Sequence, residues 1–234
     1  MSKRFSGKTV LITGGTGGLG RAVTLAFLEE GADIIVTFQK QEEFAQLPQG
    51  QQLEGFQVDV TDEHAVRGLM DKIIARHKKL DVLVNTVGGY AGGTKFWEAD
   101  EKVISRMLSL NLQTGYTLCR SIVPIMLGQK SGAIINIAAK AGVDPAPGAG
   151  AYSASKAAAL AMMASLAADL KGSGVRVNSI LPSIIDTAPN RQAMPKADFS
   201  KWPKPEQIAR VILFLSSDEA SVIHGASIPV YGYS

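Results

Sequence analysis

The chain has 234 residues, 46% hydrophobic and 19% charged, which suits one domain with a sizeable core. Its net charge of +3 is scattered and builds no nucleic-acid surface, and no apolar run approaches the roughly 20 residues that cross a bilayer. One cysteine, Cys119, excludes an internal disulfide, and His64, His77 and His224 are too dispersed for a metal site. Lys3 and Arg4 precede Ser6-Gly-Lys8 rather than a signal-peptide core. The expectation is a soluble, cytoplasmic protein that binds a small molecule, with no metal, membrane or nucleic-acid partner.

Short apolar strands alternate with helices from the start. Residues 9–12 read as a strand, followed by a glycine-rich turn and a helix over about 20–30. Residues 32–38 and 55–58 are two more strands, the second ending at Asp59. Thr61-Asp-Glu-His64 reads as a capped helix start, running to about His77. Residues 81–85 form a fourth strand and 99–127 a long helical stretch. A fifth strand over 132–138, a helix from about Tyr152 to Lys171 and a sixth strand over 175–181 follow. A helix over 205–216 and a strand over 226–230 close the chain. The alternation predicts an α/β fold of Rossmann type, a doubly wound parallel sheet with helices on both faces, as one domain over 1–234.

Two stretches break the rhythm. Gly88-Gly-Tyr90-Ala-Gly-Gly93 is a loop after the fourth strand, and residues 186–205 form a long, proline-rich loop with Phe199 and Trp202. Both follow strand C-termini, where open parallel sheets bind ligands, so the second reads as a lid.

Three groups of residues carry chemistry. Thr13-Gly14-Gly-Thr-Gly-Gly18-Leu19-Gly20 joins a strand to a helix. Glycine allows close backbone approach there, and the helix N-terminus attracts the pyrophosphate of a dinucleotide. At the tip of the second strand, Thr37-Phe-Gln-Lys40 lacks the acidic residue that holds the ribose hydroxyls of NAD. Lys40 is placed to meet a 2′-phosphate instead, so the choice between NADP and NAD leans toward NADPH. Asp59 is placed for the adenine and Asn85 for the adenosine ribose. Tyr152 and Lys156 stand four apart among alanines, on one helical face. A cation near the phenol would lower its pKa from about 10 and make it an acid/base near neutrality.

Together these pieces resemble the short-chain dehydrogenase/reductase family over essentially the whole chain. The matching parts are Thr13-Gly14-xxx-Gly18-x-Gly20, Asp59-Val60, Asn85-xx-Gly88, Asn111, Tyr152-xxx-Lys156 and Asn178-xxx-Pro182-xxxx-Thr187. The resemblance implies NAD(P)-dependent hydride transfer. It makes Tyr152 the acid/base, Lys156 the ribose ligand and Asn111 the holder of a relay water. Pro182, Ile184 and Thr187 would lie along the nicotinamide. It also implies a homodimer or homotetramer built through the helices near 104–126 and 157–170. One departure stands out: the family's serine, thirteen residues before the tyrosine, is Ala139 here.

Ala139-Lys140, the 88–93 loop and residues 186–202 are similar to quinonoid dihydropteridine reductases. That likeness implies a conjugated dihydropterin, or a similar planar ring, in a pocket formed by Ala139, Lys140, Tyr90 and Trp202. A carbonyl reductase of small ketones or aldehydes, and a dinucleotide-binding sensor without turnover, are the alternatives.

Overall fold

A computed structural model describes residues 3–234. Seven parallel strands form a single sheet in the order β3-β2-β1-β4-β5-β6-β7. They are β1 (Thr9–Thr13), β2 (Asp33–Phe38), β3 (Leu53–Gln57), β4 (Val82–Asn85), β5 (Gly132–Ile137), β6 (Val175–Pro182) and β7 (Ser227–Val230). Each central strand is apolar on both sides because both faces of the sheet are covered. The helices are α1 (Gly18–Glu29), α2 (Gln41–Phe44), α3 (Glu63–His77), α4 (Glu101–Leu108), α5 (Thr114–Gln129), α6 (Gly150–Asp169), α7 (Ala188–Ala193) and α8 (Pro205–Ser216).

Alternate residues of each strand feed two cores. Val10, Ile12, Ile34, Val36 and Val84 meet Val23 and Phe27 of α1 and Ile208 and Ile212 of α8. Leu11, Ile35, Leu83 and Ile134 meet Leu69 and Ile73 of α3, Leu118 and Ile122 of α5, and Met163 of α6. Each such buried side chain contributes about 1.5–3 kcal/mol relative to leaving it in water. Among the described residues no helix is long and apolar enough to cross a membrane.

Three local features differ from the sequence expectation. The short α2 is an addition after β2. The single helix expected over 99–127 is two helices joined by a π-helical turn, Ser109–Gln113. One extra residue per turn there brings Asn111 inward, where it is buried. The long loop after β6 contains α7 and a 3₁₀ turn, Phe199–Lys201.

The strand order reverses beside β1. From β1 the chain moves outward to β3, then returns to β4 on the other side. The connections leaving β1 and β4 diverge, opening a crevice at the C-terminal edge of the sheet.

Candidate active site

The loop after β1 is shaped by what its glycines leave out. Gly14 has φ of 67°, a left-handed conformation that other residues rarely adopt. A Cβ on Gly20 would lie 2.0 Å from the Gly14 carbonyl oxygen, so only glycine permits this turn of the backbone. The Gly14 N–H donates to Thr37 Oγ1 at 3.1 Å and Gly15 N–H to the Thr37 carbonyl at 3.1 Å, fixing the loop to β2. No side chain caps the free N–H groups at the start of α1. This cradle fits the pyrophosphate of a dinucleotide. Thr187 closes it from the far side, since a Cβ on Gly18 would stand 2.9 Å from the Thr187 methyl. The Leu19 side chain turns into the core and leaves only its backbone to the cradle.

The end of β2 holds a residue that the sequence reading missed. Glu43, on α2, accepts a hydrogen bond from Thr16 Oγ1 in the glycine loop at 3.0 Å. Its other oxygen lies 3.7 Å from Lys40 Nζ, so the lysine expected to meet a phosphate already faces a carboxylate. Phe44 holds α2 in place by stacking on Phe38 with ring centroids 4.9 Å apart. Gly55 makes room for that ring: a Cβ there would sit 2.4 Å from it. The available signal was an acidic residue within one turn of a strand end that faces the glycine loop.

Two neighbouring residues do other work than expected. Asn85 is buried: it accepts from Thr13 Oγ1 at 2.8 Å and donates to Asn136 Oδ1 at 3.1 Å. Its side chain ties β1, β4 and β5 together. Val60 packs in the core beside α3. Asp59 stays at the rim, where Oδ1 accepts from the Thr61 N–H at 2.9 Å and hydroxyl at 2.7 Å.

On the catalytic side, Tyr152 and Lys156 share the first turns of α6, but they are not bonded to each other. Lys156 is buried and donates to the Ile137 carbonyl at 2.8 Å. Burial pushes its pKa down from 10.5 to about 8. Tyr152 moves the opposite way from the sequence expectation. Burial, and after it the neighbouring Tyr90, push its pKa up from 10.0 to about 12. Shared helical spacing therefore does not lower the phenol's pKa in the protein alone, because the ammonium is aimed at β5.

Asn111 joins the two halves of the site. Its Oδ1 accepts from the Gly89 N–H at 2.9 Å, and its Nδ2 donates to the Gly89 carbonyl at 3.0 Å and to Ser155 Oγ at 2.9 Å. Ser155 in turn donates to the Tyr152 carbonyl at 2.7 Å. Gly88 lies between Asn111 and Lys156: a Cβ there would be 2.8 Å from Asn111 Oδ1 and 3.1 Å from Lys156 Nζ. The Asn111 side chain is thus engaged with protein groups, anchoring the 88–93 loop to α6.

The four residues expected to line a substrate pocket separate. Ala139 follows β5 and is buried, with a methyl group and no donor. Tyr90 is 69% exposed, and its ring meets Tyr152 edge to face with centroids 5.0 Å apart. Lys140 turns away: its Nζ reaches the Ser234 carbonyl at 3.4 Å and lies 5.3 Å from the centre of the Tyr231 ring. Trp202 is buried against Phe199 within the 186–205 segment rather than exposed. Pro182 ends β6 and is buried, whereas Ile184 beyond it is exposed. Arg191 Nη2 donates to Asp186 Oδ2 at 2.8 Å, and its guanidinium covers the Phe199 ring at 4.9 Å.

The family model for short chain dehydrogenase matches residues 8–198. A 3-oxoacyl-[acyl-carrier-protein] reductase of Thermotoga maritima is 31% identical, over 98% of this chain and 98% of its own length. A meso-2,3-butanediol dehydrogenase of Serratia marcescens is 31% identical, over 98% of this chain and 95% of its own. Among solved structures, ElxO with NADP bound superposes with a TM-score of 0.89 at 26% identity, covering 97% of this chain and 98% of that one. NAD+-bound xylitol dehydrogenase superposes with a TM-score of 0.89 at 26% identity, covering 98% of this chain and 100% of that one.

Proposed function

The chain belongs to the short-chain dehydrogenase/reductase family and is an NAD(P)-dependent oxidoreductase, and on that premise we propose that it reduces a small, planar, conjugated substrate, a quinonoid dihydropterin or a closely similar ring. The observation that carries this reading is the methyl group of Ala139 where the family places a serine hydroxyl. A simple ketone gathers negative charge on one oxygen, and a fixed donor aimed at it is worth about 2.7–4 kcal/mol. A conjugated ring spreads that charge over several heteroatoms and needs the donor less.

The nicotinamide, when bound, supplies the hydride. Tyr152 supplies the proton: with a pKa near 12 in the protein alone, it stays protonated at neutral pH and is set up to give a proton in the reducing direction. Lys156, one turn further along α6 and beside Gly88, would hold the ribose. Thr187, against the glycine loop, and Ile184 would border the carboxamide. The second reading, reduction of small ketones or aldehydes, is favoured by the oxoacyl reductase and butanediol dehydrogenase relatives.

We also infer that NAD(H) is the preferred dinucleotide. Lys40 is a poorer partner for a 2′-phosphate because Glu43 stands beside that lysine and on the glycine loop. A 2′-phosphate would bring negative charge toward that carboxylate, whereas ribose hydroxyls would donate to it. Glu43→Gln should strengthen NADPH binding about five-fold, the scale of roughly 1 kcal/mol between half-exposed like charges. Titration of both dinucleotides by fluorescence checks this; equal change for the two removes Glu43 from the site.

The groove lined by Leu108, Leu112, Tyr116, Ala158 and Met162 leaves an apolar surface across α4, α5 and α6. We propose that two copies of the chain pair there. The substrate reading is tested by kcat/KM for quinonoid dihydropterin and for cyclohexanone with each dinucleotide. Undetectable dihydropterin turnover beside efficient ketone turnover would replace the first reading with the second.

A further inference from the structure

The 88–93 loop is pinned at both ends around Tyr90. Asn111 holds Gly89 by two hydrogen bonds. Beyond the tyrosine, the Gly93 N–H donates to the Gly148 carbonyl at 3.0 Å, just before α6. Phe96 rests on Gly150, the first residue of that helix: a Cβ there would be 2.8 Å from its ring. Three anchors therefore fix Tyr90 relative to Tyr152. The phenol also has a prepared seat. A Cβ on residue 92 would stand 2.2 Å from Tyr90 Oη, so Gly92 is what lets the ring fold back over the loop. Tyr90 Oη makes no hydrogen bond to any described residue, although its ring packs on the proposed proton donor.

The other hydroxyls near Tyr152 are committed or turned inward. Ser155 donates to the Tyr152 carbonyl, Ser183 donates to the Tyr231 carbonyl at 2.6 Å, and Ser153 Oγ is buried. An exposed phenol with no hydrogen bond to a described residue is thus held in contact with the catalytic tyrosine. We propose that Tyr90 is a second substrate-binding residue, whose hydroxyl donates a hydrogen bond to a second charge-bearing heteroatom of the substrate while Tyr152 protonates the first.

This rests on the conjugated-substrate reading and narrows it: the ring must present two acceptors that share the incoming electron pair. The balance is simple. Hydride brings two electrons and one hydrogen, Tyr152 gives one proton and recovers it from solvent, and Tyr90 keeps its own proton. A ketone has one charge-bearing oxygen, which Tyr152 already faces, and gains less from a donor placed for a second heteroatom.

The test is Tyr90→Phe, which keeps the ring contact with Tyr152 and removes only the hydroxyl. Unchanged thermal unfolding and dinucleotide affinity establish that the fold and cradle survive. With quinonoid dihydropterin, kcat/KM should fall about five-fold, the worth of one neutral hydrogen bond at about 1 kcal/mol. The ratio of dihydropterin to cyclohexanone kcat/KM should fall by a similar factor. The basic limb of the pH profile should also move down, because Tyr90 helps hold the Tyr152 pKa up. Dihydropterin turnover within two-fold of wild type overturns the role of Tyr90 and leaves the substrate reading intact. Equal losses on both substrates overturn it as well, by assigning Tyr90 to packing alone. No dihydropterin turnover in the wild type sinks both the reading and the role built on it.

Discussion

Two lysines mark the ends of the cleft, and their surroundings are opposites. Lys40, at the adenosine end, has a side chain 72% exposed and balanced by Glu43 at 3.7 Å. Lys156, at the catalytic end, is 5% exposed and bonded only to the Ile137 carbonyl. Water and a partner charge make the first inexpensive to keep. The second is a cation moved out of water, with a carbonyl in place of a carboxylate, and its lowered pKa records that cost. The adenosine end can discriminate between ligands without much strain, whereas the catalytic end carries a free-energy cost that bound ligand oxygens would offset.

Breaking the catalytic end at Tyr152 should give the largest effect. Tyr152→Phe removes the hydroxyl placed for proton transfer and should lower turnover by roughly 10²–10⁴-fold. Dinucleotide affinity should hold within a few-fold because Lys156 is untouched. Wild-type turnover in this variant would remove Tyr152 from the chemistry.

Lys156 offers a sharper test of the cost itself. Below about pH 8 both the folded and the unfolded chain keep this proton, so the folded state bears the full burial penalty. Between about 8 and 10.5 the folded lysine has lost its proton while the unfolded one keeps it, so this group makes the fold more stable as pH rises. Lys156→Met should therefore be more stable than wild type at pH 7, by about 1–3 kcal/mol, while losing activity. The difference should shrink toward pH 10. Urea unfolding of both proteins at pH 7 and pH 10 checks this, and a variant less stable at pH 7 would contradict it.

The smallest effect belongs to the 186–205 segment, the proposed lid. Arg191 beside it holds the Asp186 carboxyl below the usual carboxylate range, so the pair persists through neutral and mildly acidic pH and weakens only in stronger acid. Trp97 and Trp202 are the two tryptophans, so a Trp97→Phe background reports on the lid alone. Asp186→Asn in that background should shift Trp202 emission modestly toward the red and enlarge the change on ligand binding. Emission that ignores both the substitution and the ligand would mean that 186–205 does not act as a lid.

Local patterns of residues account for much of the molecule. The seven strands, the strand-to-helix glycine turn and the Tyr152 helix were all legible, because a buried parallel strand needs an apolar run and a phosphate-binding turn needs glycine. The spacing of Tyr152 and Lys156 placed both on one helix face, but spacing does not say where a flexible ammonium points. The Ile137 carbonyl, at the end of a strand nineteen residues earlier, decided that. Asn85 read as a ribose ligand from its place at a strand end, yet lateral neighbours in β1 and β5 claimed its side chain. Glu43 lay outside the strand-tip motif and reached the glycine loop only because Phe44 stacks on Phe38. The sequence by itself determined the alternation of elements, the cradle and the identity of the proton donor proposed here. Only the tertiary structure decided which polar groups are already paired, because hydrogen bonds and charges are settled between elements distant along the chain, where burial makes each unpaired group costly.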